Sequence, residues 1–252
     1  MGHKVHPKVF RLSTIYTWDS KWFGRRGKAF VSALKEDVQI RDFLRSALKE
    51  AGLNSVEIER TPKHVTVTVH VAKPGVVIGR AGSGIEDLKK KLLKTFYRGR
   101  RVTLNINVQE LARPTLVSEI IGQQIAQDIE KRMPFRRSMK MAIERVMKAG
   151  AKGVKMTLSG RLNGAEIART ETIAQGSIPL HNLRADIDFA RVRANTVYGV
   201  IGIKIWIYRG DVFGEAQQPA AASAEQAPER RRVERPQRSN ASRAPRSVAR
   251  AA

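Results

Sequence analysis

Hydrophobic positions along the chain fall into two successive sets, each mixing helical and strand periods. In the first, Ile40, Phe43, Leu44, Ala47 and Leu48 recur at spacings of three and four, which predicts a helix within residues 29–51. Asp37 is placed to cap that segment, and Gly52 to end it in a left-handed conformation. Val56 and Ile58 then alternate with charged residues, and Val65, Val67, Val69 and Val71 alternate with Thr66, Thr68 and His70. Period two with β-branched side chains predicts two half-buried strands. Pro74-Gly75 breaks the second strand before a glycine loop; Ile85, Leu88, Leu92 and Phe96 form the next helical stripe, and Val102, Leu104, Ile106 and Val108 a third strand. The predicted order is helix, strand, strand, short helical turn, glycine loop, helix, strand.

Leu111-Ala112-Arg113-Pro114 reads as a joint. Beyond it, Val117, Ile120, Ile121, Ile125 and Ile129 share one helix face, Pro134 stops that helix or opens the next, and Phe135, Met139, Ala142, Ile143, Val146 and Met147 stripe the following one. The methionines fit as core filler better than as a ligand set. Val154, Met156 and Leu158 predict a strand; the turn Gly160-Arg161-Leu162-Asn163-Gly164 leads to an expected short helix around Glu166 to Ala174. Ile187 and Phe189 mark a further strand. In the last one Ile201, Ile203, Ile205 and Ile207 share one face, and Gly202, Lys204, Trp206 and Tyr208 the other. Both sets are therefore expected to be α+β, with helices on one face of a sheet. From about Glu215, Ala, Pro, Gln, Ser and Arg dominate and no hydrophobic period remains, so residues 215–252 are expected to be a disordered basic tail.

Charge changes the picture most. The 252 residues carry a formal net charge of +24, and a chain this cationic needs a standing polyanionic partner. No stretch approaches the roughly 20 apolar residues of a spanning helix, and the start, Met1-Gly2-His3-Lys4-Val5-His6-Pro7, lacks an apolar signal core, so no membrane is expected. Without cysteine there are no disulfides or thiolate sites, which suits a cytoplasmic protein. Residues 1–28 mix Phe10, Tyr16, Trp18, Trp22 and Phe23 with Lys4, Lys8, Arg11, Arg25 and Arg26. Such an arm either stacks unpaired RNA bases on its rings or anchors itself by them.

Two sites stand out chemically. In Val77-Ile78-Gly79-Arg80-Ala81-Gly82-Ser83-Gly84-Ile85, glycines let the backbone bend where a large polyanion approaches, and Ser83 with Glu86 spells a capping box. Amides at a helix start beside Arg80 would stabilise a phosphate, and Lys89, Lys90, Lys91 and Lys94 crowd the helix that follows. In the second set, Arg136, Arg137 and Lys140 share an arc of about 100° at a helix start. Cations there are unhelped by the helix dipole, which points to an external anion, with a solvated face partnered by Glu144 as the other reading. Asp186 and Asp188, with His181 and Glu166 possible neighbours, are the best case for a metal-dependent nuclease, against simple ion pairing with Arg184, Arg191 or Arg193. The five histidines show no metal-ligand spacing, and no metal, cofactor or catalytic residue is expected.

The element order and Gly79-Arg80-Ala81-Gly82, with Val77-Ile78 before it and Ile85 after, make residues 29–110 resemble a KH domain of type II, in which the first helix precedes the strands. In such domains the GXXG loop clamps about four nucleotides. Residues 111–214 resemble the C-terminal domain of the bacterial small-subunit ribosomal protein S-three family. The matching runs are Phe135-Arg136-Arg137-Ser138-Met139-Lys140, Gly150-Ala151-Lys152-Gly153, Leu158-Ser159-Gly160-Arg161-Leu162-Asn163-Gly164-Ala165-Glu166-Ile167-Ala168-Arg169-Thr170-Glu171, Leu183-Arg184-Ala185-Asp186-Ile187-Asp188 and Tyr198-Gly199-Val200-Ile201-Gly202-Ile203-Lys204. The opening Met1-Gly2-His3-Lys4-Val5-His6-Pro7 and Trp22-Phe23 are similar too.

The resemblance implies a structural constituent of the head of the small ribosomal subunit, cytoplasmic and not a homo-oligomer. Its implied partners are 16S-type ribosomal RNA, messenger RNA, and the neighbouring head proteins S-ten and S-fourteen. It further implies that Gly79, Arg80, Ala81, Gly82, Lys89 and Lys90 face RNA, and that Arg136, Arg137 and Lys140 grip and passively unwind messenger RNA where it enters. Met141 stands where many relatives carry another cation, and the long tail departs from short-tailed members. A free KH-type regulator of messenger RNA is the alternative, and a nuclease a more distant one.

Overall fold

The computed structural model describes residues 4–24, 27–61, 64–97 and 102–213. The tail expected to be disordered, and Arg25 and Arg26 of the arm, lie outside the described residues. Helix α1 (Pro7–Phe10) opens the chain, and α2 (Lys28–Ala47) precedes the antiparallel pair β1 (Leu53–Arg60) and β2 (His64–Val71). Then come α3 (Pro74–Ile78), the glycine loop, α4 (Ser83–Phe96) and β3 (Thr103–Glu110), which lies parallel to β2. The sheet order β1-β2-β3 puts the valine-rich strand in the centre. Val65, Val67, Val69 and Val71 pack with Ile40, Leu44, Leu88 and Leu92 in the first hydrophobic core, so the alternating stripe faces both long helices.

Asp37 does not cap this helix. The run before it (Ala29, Ala33, Leu34, Lys35, Glu36) is built of good helix formers, so α2 begins well upstream and Asp37 falls in its interior, fully buried. There its carboxylate accepts from Trp22 Nε1 at 2.7 Å and from Arg60 Nε at 2.5 Å.

The second sheet follows helices α5 (Ser118–Glu130) and α6 (Phe135–Lys148). Its strands β4 (Gly153–Gly160), β5 (Arg169–Gly176), β6 (Ala185–Thr196) and β7 (Gly199–Asp211) are antiparallel in the order β5-β4-β7-β6. The isoleucine face of β7 meets Ile125, Met139, Ile143 and Val146 in a second core. Gly122 lets α5 press close, because a Cβ there would stand 2.5 Å from Cγ2 of Val192.

The helix expected around Glu166 to Ala174 is instead the edge strand β5. Thr170, Thr172 and Ile173 are β-branched and fit a pleated surface, and pairing with β4 satisfies their backbone groups. As a strand, β5 turns Glu171 and Ile173 to one face, toward α6.

The N-terminal arm bridges both sheets. His6 meets Phe189 edge-on at 4.8 Å, and Phe189 lies 5.1 Å from Trp206, so α1 covers part of the second sheet's helix-free face. Further on, Lys21 N donates to Ile58 O and Ile58 N to Asp19 O, both at 2.9 Å, adding a short parallel edge beside β1.

Candidate nucleic-acid interface

The glycine loop joins α3 to α4 with positive φ at three of four consecutive residues: Gly79 (φ 70°), Ala81 (φ 51°) and Gly82 (φ 83°), Arg80 being the exception. Gly82 occupies the cap position of α4, so Ser83 falls inside the helix and makes no capping bond, contrary to the capping box. Glu86 turns to Lys90 instead, at 3.9 Å across an exposed helix turn, a pair of small energetic weight. A glycine cap leaves the first amides of α4 without a side-chain acceptor, next to exposed Arg80. Lys89 is half-buried, while Lys91 and Lys94 are exposed. The predicted loop residues thus open α4, and Lys89 and Lys90 follow in its second turn.

Arg136, Arg137 and Lys140 all lie on the exposed surface of the first turns of α6. They are not equivalent. The Arg136 guanidinium grips Glu171 of β5 with two bonds, Nη2 to Oε1 at 2.6 Å and Nε to Oε2 at 3.0 Å. That fork holds Glu171 below the usual carboxylate range. Arg137 and Lys140 have no carboxylate within 4.0 Å among the described residues. Glu144 serves Lys148, at 2.7 Å, rather than the patch. The site therefore offers two free cations and a third held by a carboxylate from β5.

The two aspartates are consumed by structure. Asp188 is buried; Lys8 Nζ lies 2.6 Å from Oδ1, Arg209 Nη2 3.2 Å from Oδ2, and Ser118 N donates to Oδ2 at 2.7 Å. Burial opposes its ionisation, but Lys8 and Arg209 overcome that and hold the carboxyl below the usual range. It caps α5 from a distant strand, while Arg209 donates twice to Leu116 O just before that helix. Asp186 accepts from the Tyr16 hydroxyl at 2.5 Å and faces Arg209 at 3.6 Å. Burial, then the Asp186 charge, pushes the Tyr16 phenol up. Ion pairing is the outcome, with Lys8 and Arg209 as partners; Arg184 pairs with Asp211 instead. Among the described residues, no group of three or more His, Asp or Glu gathers to hold a metal ion.

In the arm, cations as well as rings are engaged with the body, as the anchoring alternative has it for the rings. Arg11 is fully buried, donating from Nη1 to Pro7 O at 3.0 Å and from Nη2 to the Leu180 and Asn182 carbonyls at 3.0 and 2.7 Å. Lys8 and Tyr16 are equally engaged, and Trp22 packs on Phe30. Phe23 and Trp18 remain exposed. Arg209, which the sequence does not mark out, is the hub of the charged cluster; its only sequence signal is a cation where a strand otherwise alternates cleanly. Among the described residues, no helix is long and apolar enough to cross a membrane.

Comparison with known proteins accounts for both sheets. The KH domain profile matches residues 39–116, and that of the ribosomal protein S3 C-terminal domain matches residues 125–207. A small ribosomal subunit protein uS3 of Syntrophomonas wolfei is 48% identical over 218 residues, 86% of this chain and 93% of the relative. One from Oenococcus oeni is 50% identical over 214 residues, 84% of this chain and 80% of the relative. One from Enterococcus faecalis is 48% identical over 213 residues, 84% and 95% of the two chains. With this likeness running through a KH fold and the second α+β domain alike, the chain belongs to the uS3 family of small ribosomal subunit proteins.

Proposed function

We propose that this chain is a structural RNA-binding constituent of the small ribosomal subunit, working in the cytoplasm by electrostatic positioning without covalent chemistry. Its folded parts are residues 29–110 and 111–214, introduced by the 1–28 arm and followed by the 215–252 tail. Lysines and arginines neutralise phosphates and release counterions, while the two rigid sheets set the path of the RNA. The corner formed by Gly79, Arg80, Ala81, Gly82, Lys89 and Lys90 takes ribosomal RNA of the 16S type. The start of α6 faces incoming messenger RNA, and neighbours such as S-ten and S-fourteen adjoin the chain in the subunit head.

The observation that carries the messenger role is the pair Arg137 and Lys140, exposed and without a carboxylate partner among the described residues on a helix whose dipole does not favour them. Separated strands would be held by these cations while translocation pulls, so unwinding is passive. Arg136 joins them once RNA phosphate competes with Glu171.

The test is translation through a stable hairpin by subunits carrying Arg137→Ala and Lys140→Ala. The variant is expected to fold and to co-sediment with small subunits, and to slow at the hairpin. Unchanged passage would remove the messenger role, and failure to co-sediment near stoichiometry in the parent protein would favour a free KH regulator.

A further inference from the structure

We infer that the cleft between the α5–α6 turn, the 161–165 loop and the β6–β7 turn binds one nucleotide of single-stranded RNA, its base stacked on Tyr198 and its phosphate held by Arg132 and Arg161. The inference rests on the reading of this face as a surface for RNA. The cleft measures about 440 Å³, within the range of small-ligand pockets. Tyr198, at the β6–β7 turn, keeps 59% of its surface exposed, so its ring is available for stacking. One wall against it is Gly164, where a Cβ would stand 3.1 Å from the ring.

Arg161 is held in place with donors to spare. Its Nε donates to Ala165 O at 2.9 Å and its Nη1 to Tyr198 O at 3.4 Å, and its guanidinium carbon lies 5.9 Å from the ring centroid. Nη2 has no hydrogen-bond partner among the described residues. Arg132 sits in a left-handed turn (φ 62°), exposed, with no carboxylate within 4.0 Å among the described residues. The acid in the lining, Glu130, is occupied: its Oε1 accepts from Asn195 N at 3.1 Å, and its Oε2 lies 4.0 Å from Lys49 Nζ.

Charge and continuity select RNA as the occupant. An exposed ring beside an arginine is a base-stacking platform that tolerates any sequence. Phe135 lines the cleft, and Arg136 and Arg137 follow it directly on α6, so the cleft opens beside the helix start that carries the patch. The patch supplies charge without a stacking ring, and the cleft supplies the ring.

The experiment uses the full chain and a short unstructured oligoribonucleotide carrying one 5-iodouridine. Long-wavelength irradiation is expected to cross-link it to Tyr198. Affinity should fall about ten-fold in Tyr198→Ala, stay near the parent value in Tyr198→Phe, and fall in Arg161→Ala. Circular dichroism of Tyr198→Ala should match the parent. Parental affinity in Tyr198→Ala, with no cross-link at that residue, overturns the inference. So does a cross-link from this cleft to a protein rather than to RNA in intact small subunits. Weakened binding in Arg137→Ala/Lys140→Ala with full binding in Tyr198→Ala sinks the cleft alone. The reverse result leaves the cleft standing and removes the patch.

Discussion

The N-terminal arm and the start of α6 carry similar sequence: basic residues beside aromatic ones. Lys8 and Arg11 of the arm do the opposite of Arg137 and Lys140 of α6. In the arm, Lys8 and Arg11 are turned inward, one onto a buried carboxylate and the other onto backbone carbonyls. On α6, Arg137 and Lys140 face outward with no carboxylate within 4.0 Å among the described residues. Local density of positive charge is therefore a poor guide to which cations stay unpaired. What separates the two regions is whether the fold delivers an acceptor to the cation, and that depends on distant segments: β6 and residues 179–182 for the arm.

If that contrast is right, the arm's cations should matter for stability and those of α6 for binding. The largest effect is expected at Asp188→Asn, which removes the buried charge that Lys8 and Arg209 share. A loss of about 3 kcal/mol is expected in urea unfolding, since breaking a buried pair strands its partners. The pH dependence has a definite sign. Asp188 titrates lower in the folded chain than in the unfolded one, so its stabilisation is complete above about pH 4 and is lost as pH falls toward the folded value. Asp188→Asn should flatten that acid limb; an unchanged limb would place the acid sensitivity elsewhere.

A smaller loss, about 2 kcal/mol, is expected for Arg11→Met, which keeps the packing of the stem but orphans carbonyls in α1 and the 179–182 segment. RNA affinity measured at several salt concentrations should barely move. A steep loss of affinity without loss of stability would mean that Arg11 belongs with the α6 cations after all.

The smallest and most pointed change is Glu171→Gln. It releases Arg136, so RNA affinity should rise a few-fold and the salt dependence steepen by roughly one phosphate contact. Stability should stay at the parental value. An unchanged affinity and salt slope would show that Arg136 is a strut between α6 and β5, leaving Arg137 and Lys140 as the patch.

Much of this was legible in the chain. The alternating valines of β2, the isoleucines of β7 and the stripes of α4, α5 and α6 are strong periodic signals, because one buried face repeats at the element's own period. Weaker signals failed for identifiable reasons. Asp37 looked like a cap because the residues before it show little hydrophobic period, although their propensity sustains a helix. The segment around Glu166 to Ala174 looked helical because an edge strand exposed on much of its surface alternates faintly, and its backbone partners lie on β4 rather than within the segment. Ser83 fits a capping box in spacing, but Gly82 already provides the turn.

The same division holds for the sites. Glycine spacing and the cation arc locate Gly79 to Gly82 and Arg136, Arg137 and Lys140 without any structure, since both are written within a few consecutive turns. The Arg136–Glu171 fork, the Asp188–Lys8–Arg209 cluster and the cleft at Tyr198 join residues separated by dozens of positions, and their order along the chain carries no trace of the contact. Backbone period and turn chemistry are local forces, and local sequence specifies them. Which cation is left without an acceptor is a question of what stands within 4 Å of it, and only the folded packing of sheet, helix and arm answers that.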